Sequence, residues 1–103
     1  MTEKQFIEIV EAVCRRPRMY TVNGTFEEVV CFLDGFGLGS DLATGQTHSI
    51  WTNFGKWLAN TRGIANGPIM MSEFRGWYEN DERALAELIR FYQEYANNSD
   101  VGF

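Results

Sequence analysis

His48 is the only histidine in the chain. A nucleophilic triad needs a base beside its nucleophile, and a zinc site usually needs several nitrogen or sulfur ligands. A single histidine at the start of a helix, with no Cys or His pair at metal-ligand spacing, points instead to a capping or solvent-facing role. Gly35-Phe36-Gly37-Leu38-Gly39 looks at first like a phosphate-binding loop. The dinucleotide form needs a preceding strand and a glycine at its sixth position, where this chain has Ser40 after a helical pattern. Helix termination is the expected role of these glycines. No serine stands in a nucleophile-elbow context. The sequence therefore predicts no catalytic residue, no cofactor and no metal, and a protein that is not an enzyme.

Acidic and aromatic residues form the more informative constellation. Glu73, Glu79, Asp81 and Glu82 crowd one segment together with Phe74, Trp77 and Tyr78. Residues 73–103 carry seven acids against three arginines, a net of −4, whereas residues 1–18 carry four cations against three acids, a net of +1. An acidic surface with aromatic anchors suits a module that docks on a basic protein. Glu73, Trp77, Tyr78, Glu79, Asp81 and Glu82 are the predicted partner-binding residues. The competing reading is a solvated face above core aromatics, its acids favouring the dipole at the start of the last helix.

Composition narrows the classes further. With 103 residues the chain is the size of one domain, and it buries roughly two-thirds of its unfolded surface. The net charge of −5 argues against a general nucleic-acid or anionic-membrane binder. The N-terminus has no signal-peptide pattern, and no stretch approaches the ~20 apolar residues of a membrane span. Cys14 and Cys31, set among apolar neighbours, read as two buried reduced thiols, with a disulfide as the alternative. Together these features predict a cytoplasmic location.

Five helical segments must position these residues. Thr2-x-x-Gln5 is a capping-box pattern opening a helix with Phe6, Ile9, Val10 and Val13 on one face, closed at Arg15-Arg16 by Pro17. Thr25-x-x-Glu28 opens a second, with Phe26, Val29, Val30 and Leu33, which the glycines from Gly35 weaken or stop; 40–47 reads as a loop. Ser49 caps a third helix carrying Ile50, Trp51, Phe54, Trp57 and Leu58, closed near Asn60 to Gly63. Gly67-Pro68 starts a short fourth helix through Met71, Phe74 and Trp77 or Tyr78. Asn80 or Asp81 caps the last, with Leu85, Leu88, Ile89, Tyr92 and Tyr95 as its stripe and a frayed tail after Ala96. The fold class predicted is all-α, a single domain over residues 1–103 with four to five helices.

Arg16-Pro17-Arg18-Met19-Tyr20 carries a resemblance. Gyrase-type ATPase domains contain a similar stretch, but their magnesium-holding asparagine has no counterpart in Glu28-Val29-Val30-Cys31-Phe32-Leu33-Asp34, and 103 residues cannot hold that fold. The chain more closely resembles small acidic bacterial proteins with an Arg-Pro-x-Met-Tyr turn. Further motifs are Leu33-Asp34-Gly35-Phe36, Phe54-Gly55-Lys56-Trp57 and Asp81-Glu82-Arg83-Ala84-Leu85. Arg18 and Thr21-Val22-Asn23 depart from the group's usual turn. Some of its members resemble immunity proteins of polymorphic or contact-dependent toxin systems. The resemblance implies that role and supplies no catalytic residue. Within the fold, the same turn is expected to pack Met19 and Tyr20 into the bundle and to pair Arg16 or Arg18 with Glu27 or Glu28.

The function expected is stoichiometric neutralisation of a cognate toxin, a basic protein such as a nuclease, with no direct nucleic-acid or membrane contact. Two alternatives stand beside it. One is a small ligand-binding or carboxylate-based enzyme domain near His48 or Asp34. The other is an acidic inhibitor of a nucleic-acid enzyme, for which −5 is a thin charge.

Overall fold

The computed structural model describes residues 3–45, 50–64 and 70–101. Thr2, His48, Ser49, Gly67 and Pro68, to which capping or turn roles were assigned, lie outside them. Among the described residues five helices follow one another: α1 Glu3–Arg15, α2 Phe26–Thr44, α3 Ile50–Arg62, α4 Met70–Arg75 and α5 Asp81–Val101. A single 3-10 turn, Pro17–Met19, separates α1 from α2, and no strand occurs among the described residues. The all-α single domain expected from periodicity is the fold observed. No helix among the described residues is long and apolar enough to cross a membrane.

Apolar residues at helical spacing place the core. Phe6, Val10 and Val13 of α1 are buried against the Leu85, Leu88, Tyr92 and Tyr95 stripe of α5, and these two helices form the most extensive pair. Aromatic rings fill the centre. Phe54 stands 4.8 Å from Tyr92 and 5.3 Å from Trp51, and Phe6 stands 6.0 Å from Tyr92. These separations suit tilted and stacked ring pairs, each worth about 0.5–1.5 kcal/mol beyond its buried area. Much of the aromatic surplus is therefore core.

Two expectations about helix length fail. α2 runs through Gly35, Gly37 and Gly39 to Thr44, so 40–44 is helix rather than loop. Each internal glycine costs about 0.5–1 kcal/mol relative to alanine. Packing of Leu33 into the core and of Phe36 against Phe6, 5.9 Å between centroids, offsets that cost. The stop comes at Gly45, whose φ of 74° is left-handed and whose N–H donates to the Asp41 carbonyl. The glycine run is thus helical, its amides engaged in helix bonding, and the likeness to a phosphate loop ends there. α5 likewise continues past Ala96 to Val101 instead of fraying.

Other termini follow the sequence. Thr25 Oγ1 accepts from Glu28 N–H at 3.2 Å while Glu28 Oε1 accepts from Thr25 N–H, completing the capping box of α2. Asn80 Oδ1 accepts from Arg83 N–H at 2.8 Å and caps α5. α3 closes at Gly63, where Ile64 N–H reaches back to the Ala59 carbonyl at 3.0 Å. The cysteines divide: both are free, Cys14 buried as expected but Cys31 exposed. At position 31 the side chain falls on the outer face of α2, opposite Val29, Val30 and Leu33.

Candidate functional site

α4 ends at Arg75, so Trp77 and Tyr78 lie in the turn after it rather than on the helix. Consecutive short bonds shape that turn: Gly76 N–H to Glu73 O, Trp77 N–H to Phe74 O and Tyr78 N–H to Arg75 O, at 3.1–3.2 Å. Phe74 anchors it. This fully buried ring sits 5.9 Å from Phe26, 5.8 Å from Phe91, 5.6 Å from Trp77 and 5.2 Å from Tyr78. Arg75 locks it from the other side, donating to the Tyr78 carbonyl at 2.9 Å and to the Asp81 carboxylate at 2.5 Å.

Of the predicted docking residues, four come together. Trp77, Tyr78, Glu79 and Glu82 line an open groove of about 600 Å³, joined by Asn80, Arg83 and Ala86. Trp77 is 40 % exposed, and Glu79 and Glu82 are exposed and form no ion pair among the described residues. Asp81 faces elsewhere, into a cleft between α2 and α4 with Arg75. Its carboxyl is held below the usual carboxylate range by the Arg75 hydrogen bond first and by the Phe26 backbone N–H as a smaller cause. Asp81 therefore ties α5 to α4 and to the start of α2. Glu73 is exposed on α4 and lines neither space.

Arginines temper the acidity of the groove. The Arg62 guanidinium lies 5.0 Å over the Trp77 ring and 5.1 Å over Phe91, and Arg90 lies 4.4 Å over Phe91. Arg83 lines the groove while pairing with Glu87 at 3.8 Å, and Arg90 pairs with Glu87 at 2.7 Å and with Glu94 at 3.9 Å. Burial, with Glu87 nearby, raises the Tyr78 phenol above its ordinary range, so this hydroxyl stays a neutral hydrogen-bonding group at the groove wall. Sequence reading missed Asn80, Arg83 and Ala86. The signal for Arg83 was its place three residues beyond the Asn80 cap, on the first turn of α5.

The resemblance-bearing turn departs from expectation. Met19 is 69 % exposed, and Tyr20, 42 % exposed, packs only its ring against Phe32 at 5.9 Å. Glu28 is occupied by the Asn23 and Thr25 N–H groups, and no ion pair joins Arg16 or Arg18 to a carboxylate among the described residues. These amide bonds, Thr25 first, hold the Glu28 carboxyl below its ordinary range. The Asp34 carboxylate, a candidate for ligand chemistry, accepts a hydrogen bond from the Trp51 indole N–H. Compared with protein-family models, curated proteins and solved structures, the chain matches none of them.

Proposed function

We propose that the chain is an immunity protein, a cytoplasmic inhibitor that binds a cognate basic bacterial toxin one to one and covers its working surface. The observation that supports this most directly is the groove at the α4–α5 turn. A half-exposed Trp77, on a turn fixed by Phe74 and Arg75, stands beside Glu79 and Glu82, whose carboxylates form no ion pair among the described residues. A rigid aromatic anchor ringed by charge is the pattern of binding hot spots, since little conformational entropy is lost on docking. Toxins that cut nucleic acid are basic around their active sites, so unpaired acids at the rim speed encounter and set its salt dependence. The resemblance carried by Arg16-Pro17-Arg18-Met19-Tyr20 points to the same role. Asp81, committed to Arg75, is a structural member of this surface rather than a contact.

The test is capture of partners on the tagged chain from its native host, then kinetics with the purified partner. One stoichiometric basic protein is expected, with Trp77→Ala accelerating dissociation and the Glu79→Lys/Glu82→Lys pair slowing association and flattening its salt dependence. Absence of any stable partner, or kinetics untouched by both variants, would overturn the reading.

A further inference from the structure

The arginines of this protein fall into two groups. Those of α3, α4 and α5 are held: Arg62 over two aromatic rings, Arg75 by Asp81, Arg83 by Glu87, and Arg90 by Glu87 and Glu94. Those of the α1–α2 turn are not. Arg15 reaches Glu11 only at 3.9 Å and otherwise complements the C-terminal end of α1, while Arg16 and Arg18 have no carboxylate partner among the described residues. We infer that this turn is a docking site for a carboxylate-bearing peptide segment of a partner protein. Arg16 and Arg18 would grip the acid, and Met19 would contact an apolar residue next to it.

Three observations support the assignment. The arginines, with Met19, line a groove of about 550 Å³ whose inner wall includes Cys14 and Leu85. Apolar side chains are exposed at the same turn, Val22 at 87 % and Met19 at 69 %. The backbone that presents them is fixed. Thr21 N–H and Oγ1 both donate to the Pro17 carbonyl at 2.9 Å, Gly24 N–H donates to Thr21 Oγ1 at 3.0 Å, and Asn23 N–H donates to Glu28 at 3.0 Å. Arg18 packs its stem over Gly24, where an added Cβ would come within 2.8 Å of Arg18 Cγ. A backbone held this firmly loses little freedom on binding.

Guanidinium forks match carboxylates in bidentate geometry, so two of them suffice for a short acidic segment. A nucleic-acid strand needs a broad basic surface, which a chain of net charge −5 lacks. Met19 and Val22 have no counterpart along a phosphate backbone.

Amide NMR of the full chain, titrated with a peptide of Glu-Glu-Leu repeats, tests this site. Shifts confined to residues 14–24 and to Glu82 and Leu85 of the groove wall are expected, weakened by salt, with binding at least ~10-fold weaker in Arg16→Glu/Arg18→Glu and a few-fold weaker in Met19→Ser. All three positions are exposed, and an unchanged thermal melt shows that the variants fold. Trp77→Ala leaves this titration unaltered, which separates the site from the toxin-binding surface: either can fail alone. No shifts up to about 1 mM peptide, the weak limit of specific binding, would overturn the inference. So would equal shifts from single-stranded DNA of matched charge.

Discussion

The turns at 16–25 and 76–80 differ in what holds them. Between α1 and α2, nearly every bond closes locally. Met19 N–H donates to Arg16 O, Tyr20 and Thr21 N–H to Pro17 O, and Glu28 accepts from the amides just before it. Between α4 and α5, local bonds are joined by groups from across the fold. Phe74 is clasped by Phe26 and Phe91, Arg75 joins Asp81, and Arg62 of α3 covers Trp77. A locally closed turn leaves its charged side chains unspent, whereas a tertiary turn uses some of its charges as fasteners. That is why, among the described residues, Arg16 and Arg18 have no carboxylate partner and Glu79 and Glu82 no ion pair, while Asp81 is held by Arg75.

The sharpest test of this contrast is Phe74→Ala. It should cost about 3–5 kcal/mol in denaturant unfolding, as other buried Phe truncations do, and amide exchange should rise most at 70–80. The local turn at 16–25 should lose protection only through global unfolding. Equal loss at both turns would mean that they form one cooperative unit.

Next in size is Thr25→Ala, which removes the capping side chain of α2 and should cost about 1 kcal/mol. Asp81→Asn should cost a similar amount, about 1 kcal/mol, because a partly exposed charged hydrogen bond is discounted by solvent. Asp81→Asn should leave partner association unchanged, and Glu79→Lys should do the reverse. A large binding defect in Asp81→Asn would return Asp81 to the contact surface.

Acid and salt separate the two fastenings more finely. Glu28 and Asp81 both have folded pKa values below their unfolded ones. Each therefore contributes stability that is complete above the unfolded carboxylate pKa and is lost as pH falls through the folded value. Both turns should weaken in acid. At neutral pH, about 1 M salt shortens the screening length to about 3 Å, and it should loosen Arg75–Asp81 more than the amide bonds to Glu28. Carboxyl carbon shifts and urea melts of the wild type and Asp81→Asn provide the check.

The smallest effect is chemical. Burial pushes the Cys14 thiol up to about 12, whereas Cys31 is exposed. A thiol reagent at neutral pH should modify Cys31 quickly and Cys14 only on opening of the α1–α2 side, so Cys14 reports on that region. Rapid modification of both would show that the local turn opens freely.

Much of this architecture was legible one helix at a time. Capping boxes, Pro17 and the i, i+3, i+4 spacing of apolar residues act within a few residues, so Thr25-x-x-Glu28, the end of α1 and the α5 stripe could be read directly. Trp77, Tyr78, Glu79 and Glu82 could likewise be read as a cluster of acids and aromatics. What failed were judgements that weigh local propensity against distant contacts. The glycines of α2 lost to the Phe36–Phe6 contact, Met19 stayed outside, and Cys31 fell on an outer face.

By itself, then, the sequence determined an all-α chain, its core stripes, its capped termini and the uneven distribution of its charge. These depend on backbone preferences and periodicity, which neighbours along the chain dictate. Only the tertiary structure decided which charges remain free. Asp81 is a fastener because the α4–α5 turn folds Arg75, six residues back, onto its carboxylate, and no helical spacing rule specifies that pairing. Asp81 meets Arg75, Trp77 meets Arg62, and Arg16 and Arg18 meet no carboxylate among the described residues.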